Sequence, residues 1–70
     1  MKKAYRDICG RLACYADGET GEICQMYKKM EINTTVPVGG TFRIEREGVI
    51  TILRRTDAPD FEVISYKLAA

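Results

Sequence analysis

The stretch YADGETGEIC, Tyr15 to Cys24, decides how the first half of this chain folds. Read as a turn, it joins the two strands of a β-hairpin. Read as a break, it ends one helix and starts another. The turn reading gives each central residue a role. Asp17 accepts backbone N–H bonds where the chain reverses, Glu19 and Thr20 sit in the right-handed region, and Gly21 takes the left-handed position of a G1 bulge. The helical reading makes Gly18 a C′ residue and Thr20 an N-cap. It then places Gly21 in a first helical turn and finds no Glu or Gln three residues after the cap. We read the stretch as a hairpin.

The flanking periodicity is less decisive. Tyr5, Ile8, Cys9, Leu12 and Ala16 fall on one helical stripe, and Ile23, Met26, Tyr27 and Met30 on another. As strands, Ile8, Leu12, Cys14 and Ala16 share a parity, and so do Cys24, Met26, Met30 and Ile32. Gly10 costs about 1 kcal/mol inside a helix relative to alanine, whereas in a strand it marks a bulge or a close backbone approach.

Downstream the pattern is plainer. Thr41 to Glu45 alternates, with Phe42 and Ile44 on one face and Thr41, Arg43 and Glu45 on the other. Glu47-Gly48 supplies a tight turn. VITIL, Val49 to Leu53, is β-branched at most positions and apolar on both faces, so we expect it to be central and covered on both sides. Thr56 to Asp60 is a loop by composition. FEVISY, Phe61 to Tyr66, is a third strand. A three-stranded antiparallel meander therefore runs from about residue 40 to residue 67. Pro37 to Gly40 is a further turn, preceded by a fourth strand over Ile32 to Val36.

The expected fold is mainly β: a small antiparallel meander or open barrel of about five strands, with a short helical turn at residues 2–7. The alternative is α+β, with two short N-terminal helices packed on a three- or four-stranded antiparallel sheet. Short patterns such as D-G-E-T-G-E-I and P-V-G-G-T-F-R-I are similar to fragments of many small bacterial β-domains and fix no family.

Composition narrows the function classes. Seventy residues make one domain, and one this small has a limited core of its own. At 46% hydrophobic and 30% charged it is too apolar for a disordered chain and too charged for a membrane span. A net charge of +1 gives no global attraction to nucleic acid or anionic lipid, so a basic footprint has to be local. Met-Lys-Lys is followed by Ala4-Tyr5-Arg6-Asp7 rather than an apolar run, so no secretory signal is expected and the cytoplasm is the expected compartment.

The three cysteines, Cys9, Cys14 and Cys24, read as small buried hydrophobes. Their C-x4-C-x9-C spacing lacks a paired knuckle, and a chain without histidine offers only carboxylates as further ligands, so no metal or cofactor is expected. A Cys14–Cys24 disulfide across the hairpin fits only an oxidising compartment. Gly39-Gly40 lacks the surroundings of a phosphate loop. Asp57, Asp60 and Glu62 read as a solvated loop, and with no histidine there is no nucleophile–base pair. The chain is not expected to be an enzyme.

Two surfaces remain as candidates. Tyr15, Met26, Tyr27, Met30 and Tyr66 suit an adaptable apolar interface with a protein partner or a second copy of the chain, as a homodimer. Lys28, Lys29, Arg43, Arg54 and Arg55, with tyrosines as stacking platforms, suit single-stranded nucleic acid. Interleaved Glu31, Glu45, Glu47 and Glu62 favour cross-strand ion pairs over such an edge. The protein-interaction module is the first reading and the nucleic-acid-binding domain the second.

Overall fold

The structure, a computed structural model, describes residues 2–27 and 29–68; Lys28 and the side chain of Tyr27 lie outside the described residues. Within these, the chain forms seven strands: β1 Lys3–Arg6, β2 Leu12–Ala16, β3 Glu22–Tyr27, β4 Met30–Thr35, β5 Thr41–Arg46, β6 Val49–Arg54 and β7 Glu62–Lys67. They make two antiparallel sheets, β1-β2-β3-β4 and β5-β6-β7, and within each sheet the strands follow sequence order. The mainly β meander expected from the sequence is the fold, and no described residue is helical.

Two expectations need correction. Residues 2–7 hold β1 instead of a helical turn. Lys3 pairs with Ala16 and Tyr5 with Cys14, so Tyr5 enters the core from an extended backbone. The helical spacing of Tyr5, Ile8 and Cys9 arises because a tight loop, not a helix, separates β1 from β2. The strand count is correspondingly seven rather than about five.

The quoted hairpin forms as its turn residues require. Asp17 N–H donates to the Glu22 carbonyl at 2.8 Å and Gly21 N–H to the Asp17 carbonyl at 2.7 Å. Asp17 Oδ1 accepts from the Glu19 N–H at 2.9 Å. Gly21 has φ +82°, the left-handed value of the bulge position.

Inner positions of both sheets meet in one core. Tyr5, Cys14, Ala16 and Ile23 come from the four-stranded sheet and Ile44 and Leu53 from the other; Val36 and Phe61 are added by the connections. Tyr5 joins the layers in two ways. Its ring meets Phe61 edge-to-face at 6.0 Å between centroids, and its hydroxyl accepts the Phe61 N–H at 3.0 Å.

Each end of the two-layer structure is latched by an arginine. At one end lie the 17–21 hairpin loop, the 36–40 connection and the 55–61 loop. Here Arg55 donates from Nη1 to the Val36 carbonyl at 2.9 Å and from Nη2 to the Glu19 carbonyl at 2.8 Å. A Cβ on Gly21 would lie 2.2 Å from that Val36 oxygen, and one on Gly18 would lie 2.0 Å from the Pro59 oxygen. At the other end, Asp7 Oδ1 accepts the N–H groups of Cys9 and Arg11, at 2.9 and 3.0 Å. Arg11 Nε meets Asp7 Oδ2 at 3.2 Å, and Arg11 Nη1 pairs with Glu47 of the β5–β6 turn.

The Asp7 latch is acid-sensitive. Burial acts to raise its carboxyl, but the Arg11 and Cys9 N–H groups and the Arg11 guanidinium outweigh it, so the pKa lies below the ordinary 3.8. A depressed folded-state pKa contributes stability that is complete above the unfolded value and is lost as pH falls through the folded one. Denaturation midpoints at pH 6 and pH 3 should therefore differ more for the wild type than for Asp7→Asn. Equal acid losses in the two proteins would show that Asp7 is not a latch.

Candidate functional site

The pairing register defines the outer face of the three-stranded sheet. β6 pairs with β5 through Thr41–Arg54, Arg43–Ile52 and Glu45–Ile50, and with β7 through Arg54–Glu62, Ile52–Ile64 and Ile50–Tyr66. These residues share the face opposite the core-facing Leu53, Thr51 and Val49. Its centre and its β7 side are apolar. Ile50 is fully buried and Ile52 half-buried, while Ile64 is 61% and Tyr66 42% exposed. Charges occupy the β5 side and one end, where Arg43 pairs with Glu45 at 3.6 Å and Arg54 with Glu62 at 3.9 Å.

The expectation that VITIL is covered on both sides is thus met unevenly. Its core-facing side is buried by the other sheet. On its outer side Ile50 is buried and Ile52 half-buried, and the Ile64 and Tyr66 portion of that face is left in solvent. β7 is also an edge strand. The Leu68 N–H donates back to the Gly48 carbonyl, which fixes the alternation of the ladder. The backbone groups of Ile64 and Tyr66 point to β6, and those of Val63, Ser65 and Lys67 point away from it. Glu62 and Lys67, at the two ends of the strand, are its only charged guards.

The residues expected in an interface do not form one patch. Tyr15 pairs with Cys24, so Tyr15, Cys24 and Met26 share the outer face of the four-stranded sheet. Met30 does not share a face with Met26. Tyr27 pairs with Met30 and Met26 with Glu31, so the reversal between β3 and β4 inverts the numerical parity, placing Met30 and Ile32 on the face of Ile23. Met26 and Met30 are both exposed. Tyr66 lies on the other sheet, and the Tyr27 side chain lies outside the described residues.

The basic residues are dispersed as well. Lys28 lies outside the described residues. Lys29 sits in the β3–β4 reversal with φ +66°, at the opposite end of the molecule from Arg54 and Arg55. Arg43 and Arg54 are neighbours on the outer face, each beside a glutamate. Arg55 is engaged with two backbone carbonyls, and its buried Nε has no partner among the described residues. Nothing in the sequence marks those carbonyls as its targets, because an arginine after a strand reads as a solvated charge. The late carboxylates are exposed, and Asp60 meets Lys3 at 3.4 Å.

The thiols differ from one another. Cys9 is exposed. Cys14 is buried, and burial, then the nearby Cys24, pushes its pKa up to about 11. Partial burial and the Glu31 carboxylate, 3.4 Å from its sulfur, raise that of Cys24. A Cys14–Cys24 disulfide is ruled out by register: Cys24 pairs with Tyr15, so Cys14 projects from the other face. Among the described residues no group of three or more Cys, Asp or Glu could hold a metal ion.

One concave feature lies where the two sheets part, at the Arg11 end. A cleft of about 360 Å³ opens there between β2–β3 and β5–β6. No protein-family model, curated protein or solved structure matches the chain.

Proposed function

We propose that this chain is a small non-enzymatic protein-interaction module that works by pairing with a second copy of itself along β7. The observation that carries the reading is the coincidence, on one strand, of an open hydrogen-bonding edge and exposed Ile64 and Tyr66. An edge of this kind binds by strand addition, in which backbone bonds give affinity and alternate side chains give register.

The ladder restricts that register. Only Val63, Ser65 and Lys67 present their N–H and C=O groups outward. Antiparallel two-fold pairing is longest when Ser65 meets Ser65 of the second copy, which sets Val63 against its Lys67. Ile64 then faces Tyr66 of the second copy, and the reverse, on the outer face. This extends the apolar strip through Ile50 and Ile52 across both molecules and covers side chains that are exposed in one. The contact is smaller than the roughly 800 Å² per partner of a standard interface, so the pair dissociates on dilution.

Sedimentation equilibrium over a concentration series tests the reading. The wild type should move from monomer toward dimer, whereas Val63→Pro and Ile64→Lys should stay monomeric with unchanged circular dichroism. Proline at residue 63 removes an outward N–H and no bond to β6. A wild type that stays monomeric at millimolar concentration would overturn the reading. So would a monomer whose mass shifts with a mixed-sequence oligonucleotide at low salt and stops shifting in Arg43→Ala and Arg54→Ala.

A further inference from the structure

The core does not fill the space between the sheets evenly. Its large side chains gather toward the Arg55 end, around Tyr5, Ile23, Leu53 and Phe61. Toward the Arg11 end the sheets diverge, and the cleft of about 360 Å³ forms between them. This volume falls in the range of small-molecule sites. Leu12, Ile44 and Val49 give the cleft an apolar lining, and Thr51 closes its depth with a hydroxyl already bonded to Ser65 at 3.1 Å.

The charges around the cleft are not equivalent. Asp7 and Glu47 are both answered by Arg11, and Glu45 by Arg43. Arg46, on the inner-face parity of Ile44, has no hydrogen-bond or ion-pair partner among the described residues. The same holds for the amide of Gln25, which lines the cleft from the opposite sheet on the parity of Ile23. The lining therefore has three carboxylates, each beside an arginine, one uncommitted guanidinium and one uncommitted amide.

We propose that this cleft binds a small organic carboxylate with an apolar body. The carboxylate accepts from the Arg46 guanidinium and the Gln25 amide, and the body lies against Leu12, Ile44 and Val49. A guanidinium matches a carboxylate with paired donors, which an alcohol or an ammonium group does not use. The committed state of Asp7, Glu45 and Glu47 limits their repulsion of an anion.

Octanoate and 1-octanol, which share a chain and differ in the head group, separate the charged contact from the apolar one. Two-dimensional NMR titration of the full chain should show octanoate shifting the amides of Leu12, Gln25, Ile44 and Val49 at saturable concentrations. Octanol should bind about tenfold more weakly, the worth of one charge-assisted contact near solvent. Arg46→Ala should bring octanoate down to the octanol level, and Gln25→Leu should weaken octanoate without strengthening octanol by more. Arg46 is exposed, so its replacement leaves the fold intact. No saturable shift at these amides, or octanoate binding that Arg46→Ala leaves unchanged, would overturn the proposal.

Discussion

Gly21→Ala is expected to remove a large share of the stability of this protein. Two costs combine at that position. A left-handed backbone costs a non-glycine residue roughly 1–2 kcal/mol. The added Cβ would also stand 2.2 Å from the Val36 carbonyl oxygen and 2.6 Å from Arg55 Nη1, which forces the hairpin loop off the 36–40 connection. The displaced loop then loses the 2.8 Å bond from the Val36 N–H to the Gly21 carbonyl. Together these amount to about 3–5 kcal/mol. A domain of this length holds roughly 4–10 kcal/mol in total. Gly10→Ala is the control, since Gly10 shares the positive φ, at +80°, but a Cβ there meets nothing within 4 Å. It should cost only about 1–2 kcal/mol. Urea denaturation of the two variants checks the comparison, and equal losses would mean that the docked loop contributes nothing beyond its dihedral angle.

Arg55→Ala is the second large effect. The guanidinium reaches two connections at once, holding the Glu19 carbonyl of the hairpin loop and the Val36 carbonyl before β5. Hydrogen bonds from a charged donor are worth about 1.5–3 kcal/mol each, less where water can replace the donor. Glu19 is exposed and Val36 is buried, so the two do not count equally. The unpartnered Nε already subtracts from the gain. A net loss of about 2–4 kcal/mol is expected. Arg55→Lys should recover little, because an ammonium on a single stem does not span two divergent carbonyls. In a Gly21→Ala background the Arg55→Ala loss should shrink, since the first change already separates the groups that Arg55 joins. Additive losses would show that the two residues act independently.

Legibility in the sequence followed the range of the interactions. The 17–21 hairpin was readable because its chemistry is local: an Asp that caps its own turn and a glycine at the bulge position. β5, β6 and β7 were readable from alternation and β-branching. β1 was not, because Tyr5, Ile8, Cys9, Leu12 and Ala16 match a helical stripe while an Asp7-anchored loop interrupts them. The placement of Met30 is not legible for a related reason. Parity along a chain predicts a shared face only within one strand, and a reversal can exchange odd and even positions. Arg55 reads as part of a charged edge because its partners are backbone carbonyls distant in sequence, and backbone atoms carry no signature. The apolar outer face was half legible: VITIL announced two apolar sides, but only the register with β7 brings Ile64 and Tyr66 beside them.

The pairing of β7 with its own copy is tested most directly by amide hydrogen exchange at Val63, Ser65 and Lys67, measured in dilute and in concentrated protein. These are the amides that point away from β6, and in a single chain they have no ladder partner. The expected result is fast exchange at low concentration and marked slowing at all three as the concentration rises, with Ile64 and Tyr66 slow throughout. Exchange at Val63, Ser65 and Lys67 that stays fast at every concentration would contradict the pairing, whatever the mass of the particle in solution.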